Sequence, residues 1–577
     1  MDAPVRPKRI LYEGPSTSQL ERLCRAMAAS PGCVAHATPD PSFSCDGIDL
    51  AMTRHADVAE LVRDLHKSYV NLLVIDLRGD APGLPARAKR ALGILDTLDR
   101  TEDVEDRYPF DRIIALVSGT CSSVVDDVIL RLGARGIGRV LREVGDDAAA
   151  EARFGAEVLR TLLAMMRERR IGRRALCSAG GGVTGIFFEL GTLKCLDDCL
   201  GGGGVNDFDL YFGISAGAVV NGPLAVGYSV DEYMAAVAGE PGGRIPTLDL
   251  RLFRLGHLDV PGFLRRARLA AATAWGGLRS AVRTGGRDVS RERLLFDYAD
   301  LVAPPFRADR FELVLRDILM AGGVDNDFRK LPRPLYVGAT DQDARQHVLF
   351  GDEEHDAVPI SQAIQASLSI NPAFSATSID GRYYEDGAVT RTSNFVEAIR
   401  RGADLVFVLD PFVPYVARTP GFTDRRGLLY NLDQDVRTIS YTRYETTRNW
   451  VLRRHPEVSS YTFVPANRLR RLISSNPMDH RPYLEIWRGA YLSTLSRIRH
   501  VRHRLEGDLR AHGVSLDLER AEDVGARLRV ADPLRFADFF PGGRVELKRP
   551  PLAADQASRV PPPPPKSLRR FPSRELS

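Results

Sequence analysis

Two rhythms of apolar residues alternate along this chain. Short unbroken apolar runs read as buried strands. Longer stretches in which apolar residues return every three or four positions read as helices. In the first part, Arg9–Tyr12, Val70–Leu77 and Ile113–Val117 read as strands, with a further one at Gly138–Leu141, and Ser18–Ala29 and Ser122–Leu132 as helices between them. Apolar strands separated by helices predict a parallel, doubly wound α/β sheet over residues 1–145. A helix over 146–172 is expected to connect it to a second α/β region, 173–415, which opens with the strand Ala175-Leu176-Cys177. Residues 416–545 are mostly helical in pattern, as in Leu429, Leu432, Val436 and Ile439. The segment 546–577 contains Pro561–Pro565, its residues from Lys548 onward carry a net charge of +5, and it reads as a disordered or polyproline II tail.

Composition narrows this picture only slightly. A chain of 577 residues with 44% apolar and 27% charged positions can build more than one globular core. Its net charge of +4 carries no nucleic-acid signature. The basic N-terminus has no apolar run behind it, so no secretory leader is expected. No stretch reaches the roughly 20 apolar residues of a bilayer crossing. The seven cysteines are odd in number and lack zinc spacing, and they read as free thiols of a reducing compartment, with Cys195 and Cys199 as core packing. A cytoplasmic location is expected, with membrane contact peripheral. One segment suits such contact: Leu252–Arg287 mixes Leu, Phe and Trp with seven arginines, the composition of a basic amphipathic surface. The same segment suits a cap over the site or a dimer face.

The strand order of the first region resembles a response-regulator receiver domain. That resemblance implies Asp76, at the end of the third strand, as phosphoacceptor. The acids expected after the first strand are missing, since the chain reads Tyr12-Glu13-Gly14-Pro15, and Arg139 and Arg142 stand where a lysine is expected. Without the acid pair a magnesium ion lacks oxygen ligands. The region therefore reads as a degenerate interaction domain and, with the proline-rich tail, as the place for a protein partner.

Three motifs in the second region carry chemistry. Gly180-Gly181-Gly182 lies between a strand and the helix marked by Val183, Ile186, Phe187, Leu190 and Leu193. Glycines at a strand-to-helix turn leave N–H groups free at the positive end of a helix, where an oxyanion or phosphate can sit. Gly213-Ile214-Ser215-Ala216-Gly217 follows the strand Phe208–Phe212 and precedes a helix, the pattern of a nucleophile elbow. Asp386-Gly387-Ala388 follows the aromatic strand Arg382-Tyr383-Tyr384, and an acid there can accept a proton from a serine hydroxyl or orient a base that does so.

Together these motifs resemble the patatin-like phospholipases, in the same order along residues 174–412. Gln362–Ser367 with Pro372 and Phe374, and Gly402-Ala403-Asp404 with its following strand, extend the likeness. The resemblance implies a three-layer α/β/α domain that hydrolyses lipid esters through an acyl-serine intermediate, without metal or cofactor. It implies Ser215 as nucleophile, Asp386 as its partner, and Gly180, Gly181, Gly182 and Ala216 around the oxyanion. Many members carry Arg or Lys two residues after the third glycine, where this chain has Thr184, so the headgroup preference is open. The five histidines after Asp386 (His455, His480, His500, His503 and His512) lie in arginine-rich helical surroundings and read as structural, which favours a serine–aspartate dyad over a triad. A small-ester or thioester hydrolase and a non-catalytic signalling scaffold are the alternative readings.

Overall fold

The computed structural model describes residues 8–553 except 37–39, 101–103, 120–122, 146, 168–171, 249, 372 and most of 251–305. The Leu252–Arg287 segment thus lies almost wholly outside the described residues, as do Pro372 and Pro561–Pro565. The chain divides into two compact units: Met1–Gly172 with Asn449–Ser459 and His500–His512, and Arg173–Arg448 with Ser460–Arg499 and Gly513–Ser577. No helix of the described residues is long and apolar enough to cross a membrane.

The first unit holds strands β1 (Lys8–Glu13), β2 (Cys33–His36), β3 (Ser42–Cys45), β4 (Ile48–Arg54), β5 (Leu72–Asp76), β6 (Ile113–Ser118) and β7 (Val140–Glu143), in the order β2-β3-β4-β1-β5-β6-β7. From β4 to β7 the neighbours are parallel. Their rank order, 2-1-3-4-5, is one of the two common doubly wound arrangements. Strand alternation sorts the side chains between two cores. Ile10, Tyr12, Leu72, Val74, Ile114 and Leu116 meet α1 (Thr17–Ala28) and α5 (Ala148–Arg167). Leu11, Leu73, Ile75, Ile113, Ala115 and Val117 meet α2 (Val58–Lys67), α3 (Leu84–Asp99) and α4 (Ser123–Ala134). The helix expected as a connector is thus part of the packing, with Phe154, Val158, Leu159 and Leu162 of α5 buried.

Neither β4 nor the β2–β3 hairpin is marked by an apolar run in the sequence. In β4 only Leu50 and Met52 are buried, so no apolar run marks it. The hairpin corrects the expectation of free thiols: its register sets Cys33 opposite Cys45, Cα–Cα 4.3 Å, and the two form a disulfide. Cys24, Cys177, Cys195 and Cys199 are free and buried, and Cys121 lies outside the described residues.

The second unit is a three-layer α/β/α domain. Its strands are β8 (Arg173–Ser178), β9 (Leu210–Ile214), β10 (Leu335–Asp341), β11 (Gln346–Phe350), β12 (Thr377–Ile379), β13 (Arg382–Asp386), β14 (Ala403–Leu409) and β15 (Ser459–Phe463), in the order β12-β13-β10-β9-β8-β14-β15 with β11 beside β10. The edge strand β15 comes from the region whose pattern reads as helical. The helices are α6 (Gly182–Cys199), α7 (Ala216–Val226), α8 (Val230–Ala238), α9 (Asp309–Ala321), α10 (Ile360–Ser367), α11 (Phe395–Arg400), α12 (Leu428–Arg454), α13 (Asn467–Ser475), α14 (Tyr483–Ala511) and α15 (Glu519–Val530).

Strand β10 carries an unusual load. β11 occupies one edge along Val337–Asp341. The other edge is shared end to end: β9 pairs with Leu335–Gly338, and β13 pairs with Ala339–Asp341 in the opposite direction. Ile214 pairs with Gly338 and Asp386 with the next residue, Ala339. The C-terminal ends of β9 and β13 therefore meet head-on, and both chains must turn out of the sheet there.

The expected tail begins later than its composition suggests. Lys548 enters a buried acidic cluster, where its Nζ meets Asp197 Oδ2 at 2.6 Å and its N–H donates to Asp231 Oδ2 at 3.1 Å. In the same cluster Lys194, fully buried on α6, bridges Asp198 and Asp231. Arg244 donates to Pro550 O and Ser229 Oγ to Lys548 O, so the segment is tied by its backbone too. Replacing Lys548 leaves Asp197 buried with too little positive charge. Lys548→Met should destabilise the protein by about 2 kcal/mol, read as a lower thermal midpoint in calorimetry.

Candidate active site

The two elbow glycines are demanded by close approach. A Cβ on Gly213 would stand 2.4 Å from Ala218 Cα, and one on Gly217 would stand 2.3 Å from Ser178 O. Between them Ser215 takes φ 53° and ψ −118°, a strained conformation for a side-chain-bearing residue. It holds because the surroundings fix it. Ser215 N donates to Ser367 Oγ at 2.7 Å, Ser367 Oγ donates to Gly338 O at 2.6 Å, and Gly217 N donates to Ala179 O at 3.1 Å. The turn starts α7 and sets the serine at the C-terminal edge of the sheet.

Asp386 closes β13 opposite this elbow. Its carboxylate accepts a hydrogen bond from Ala388 N at 2.8 Å, and the Ser215 hydroxyl beside it helps to hold its charged form. Burial pushes the Asp386 carboxyl up to about 7; the bonds from Ala388 and Ser215 pull the other way, and neighbouring Glu385 adds to the rise. Gly387 packs where a Cβ would stand 2.4 Å from Gly338 O. No histidine hydrogen-bonds to Ser215 or Asp386 among the described residues, and His500, His503 and His512 belong to the first unit.

The glycine turn lies beside this pair because β8 pairs with β9, Ser178 opposite Gly213. A Cβ on Gly180 would meet Ser215 Cβ at 3.2 Å and Ala388 Cβ at 3.7 Å. The backbone N–H groups of Gly180, Gly181, Gly182 and Ala216 have no acceptor among the described residues. Free amides at the N-termini of α6 and α7 converge there, an arrangement that stabilises negative charge on a reacting oxygen.

Residues that carry no motif brace both halves of this geometry. Thr184 is fully buried: its N–H donates to Pro477 O at 3.0 Å, and its hydroxyl lies within 3.5 Å of Gly181 O, Ile473 O and Pro477 O. The residue that departs from the resembled pattern is thus an anchor for the turn rather than a headgroup contact. Gly182, at φ 65°, faces the same loop, and a Cβ there would stand 2.8 Å from Pro477 O. On the acid side, Arg443 of α12 donates from Nη2 to Ala388 O and from Nη1 to Val389 O, both at 2.9 Å. Thr340 Oγ1 donates to Asp386 O at 3.1 Å and contacts Thr390 Oγ1, which in turn meets His347 Nδ1 at 2.9 Å. Burial, aided by Arg391 and Arg443, pushes His347 down to about 4, so its ring is neutral in this network. Arg443, Thr340, Thr390 and His347 have no local sequence signal, and Ser367 has only that of its family-like segment.

Asp76 lies elsewhere, at the end of β5 in the first unit. Its carboxylate is taken up internally: Arg78 donates Nε and N to Oδ1 and Nη2 to Oδ2, and Tyr12 OH donates to Oδ2 at 2.7 Å. Glu13, the remaining acid of β1, pairs with Arg90.

An elbow serine, a buried acid and free amides at the edge of a mixed sheet, where parallel β9 meets antiparallel β13, define a hydrolase of the serine-elbow class. Residues 176–399 match the family model described as patatin-like phospholipase, and the chain carries a patatin-like phospholipase domain, that of a lipid acyl hydrolase. Among solved structures, VipD from Legionella pneumophila is similar at 12% identity over 57% of this chain and 71% of that chain, with a TM-score of 0.26. No curated protein matches.

Two outcomes follow from these contacts. Arg443→Met should lower kcat on any cleaved ester by about tenfold to a hundredfold with little change in KM, because a misplacement of the acid turn acts on the transition state; steady-state kinetics read the split. In the first unit, incubation with acetyl phosphate and Mg²⁺ should leave the intact mass unchanged, since both oxygens of Asp76 are occupied.

Proposed function

We propose that this protein is a serine acyl hydrolase that cleaves the carboxylic esters of lipids through Ser215 and Asp386. The observation that carries the reading is the strained elbow serine standing where β9 meets β13, beside the buried Asp386 carboxyl that burial raises to about 7. A base of that strength is half ionised at neutral pH and well matched to proton transfer.

The steps balance with these groups alone. Ser215 Oγ attacks the acyl carbonyl carbon as its proton passes to Asp386. The carbonyl oxygen becomes an oxyanion held by the N–H groups of Gly181, Gly182 and Ala216, each worth about 3 kcal/mol in such a role. Collapse of the tetrahedral intermediate breaks the ester C–O bond, the leaving alkoxide takes the proton from Asp386, and an acyl-Ser215 ester remains. Water then gives a proton to Asp386 and attacks the acyl carbon. Ser215 leaves with that proton, and the fatty acid is released. Thr184 places no cation at the glycine turn, so the contact with the alcohol part of the lipid falls to other groups of the rim.

A panel of phospholipid, lysophospholipid, triacylglycerol and short p-nitrophenyl esters tests the reading. Ser215→Ala and Asp386→Asn should each lower kcat by at least about a thousandfold. Wild-type rates in both variants would refute the mechanism, and cleavage of short esters alone would point to a small-ester hydrolase. Because Asp386 must be ionised to accept the proton, kcat/KM should fall as pH drops through about 7, as a pH–rate profile on a soluble ester would show.

A further inference from the structure

The first half of helix α12, before the buried Tyr444 and Val451, is built inside out. Its buried positions include Gln434, Arg437 and Ser440, none more than 6% exposed. Polar contacts hold that face down. Arg437 donates to Asp433 and to Pro411 O and lies over the Phe412 ring at 4.4 Å, and Ser440 meets Thr392 Oγ1 at 2.8 Å. The outward face carries the apolar residues: Leu428 is 81% exposed, Leu432 46%, Val436 42% and Ile439 66%. Their spacing of four, four and three residues confines them to one stripe. An amphipathic helix of a globular protein turns such a stripe inward, so a large exposed one marks a surface that something covers.

The stripe leads to the candidate active site. One turn beyond Ile439 on the same face is Arg443, which holds Ala388 O and Val389 O. Val389, three residues after Asp386, is itself 43% exposed and extends the apolar surface to the acid turn. At the inner side of the helix, Pro411 packs where a Cβ on Gly181 would stand 2.7 Å away. Whatever covers the stripe is therefore brought to the rim of the Ser215 site.

The charges around it select the occupant. Arg418, Arg425 and Arg426 precede the stripe, Arg443 follows it, and Arg391 lies near Arg443. None of the five forms an ion pair among the described residues. Asp424 and Asp435 are the carboxylates along the same stretch whose charge no cation answers among the described residues. Large apolar side chains edged by uncompensated guanidinium groups suit a lipid layer with anionic headgroups, where the apolar residues enter the acyl boundary and the arginines stay at the phosphates. We propose that the Leu428–Ile439 face of α12 docks this protein onto an anionic lipid surface and presents the Ser215 site to it. The proposal rests on the reading of that site as a lipid ester hydrolase.

Flotation of the full chain with phosphatidylcholine vesicles, with and without phosphatidylglycerol, tests it. Wild type should float with the phosphatidylglycerol vesicles. The triple variant Leu432→Ser, Val436→Ser, Ile439→Ser should lose vesicle affinity at least roughly tenfold and hydrolyse vesicle lipid correspondingly slowly, while cleaving soluble p-nitrophenyl butyrate at the wild-type rate. The milder pair Leu428→Ser, Ile439→Ser changes only the two most exposed positions and should weaken binding in the same direction without altering the circular dichroism melt. Ser215→Ala should float like wild type; if it floats but retains ester cleavage, the reading of the site fails while the docking surface stands. Failure of wild type to float, or equal flotation of the variants, overturns the proposal. So does a wild-type dimer in solution that the triple variant converts to monomer, since the stripe would then be covered by a second copy.

Discussion

The active-site geometry depends on one edge of strand β10. Two strands, β9 and β13, use that edge in succession and run into each other between Gly338 and Ala339. Neither can continue. Ser215 turns out of the sheet in a strained conformation, and Asp386 turns out through Gly387. The collision places a hydroxyl and a carboxylate side by side, although 171 positions separate them in sequence. It also explains why the turns need small residues: at Gly213, Gly217 and Gly387 the neighbouring backbone stands where a Cβ would go. The burial that results lifts the Asp386 carboxyl, so the same packing that sets the distance also sets the basicity.

A second theme is how much of the bracing comes from the end of the chain. The loop at Pro477 supplies the carbonyl that fixes Thr184 and closes over Gly182, and Arg443 supplies the donors that fix the turn after Asp386. Strand β15 extends the sheet next to β14, and the segment around Lys548 completes a buried charge cluster with α6 and α8. The matched domain at 176–399 contains the motifs, yet its turns are held by residues outside that span. The helix that provides Arg443 does so while burying Arg437 and exposing its apolar stripe, which links the bracing of the acid turn to that exposed surface.

The legible and illegible parts of the molecule divide along a physical line. Fully buried parallel strands such as Val74–Asp76 or Ile113–Val117 are apolar throughout and announce themselves. The strand at Ile48–Arg54 and the Cys33–Cys45 hairpin are half exposed, so no run of apolar residues marks them, and the disulfide stayed hidden with the hairpin. The periodicity of Leu432, Val436 and Ile439 correctly indicated a helix but not its orientation, because period reports the helix and not which side meets water. The basic composition after Lys548 suggested a solvated tail, since composition cannot show that Asp197 and Asp231 are buried and in need of a cation.

By itself the sequence determined the local chemistry: which residues can form a glycine turn, an elbow and an acid turn, and in which order, because these rest on backbone freedom and on side-chain type within a few positions. Only the tertiary structure decided that the three meet, that Thr184 anchors the glycine turn, that burial raises the Asp386 carboxyl to about 7, and that Arg443 and His347 belong to its support. Those properties arise from strand register, burial and contacts between residues distant in the chain, and no short stretch of sequence encodes them.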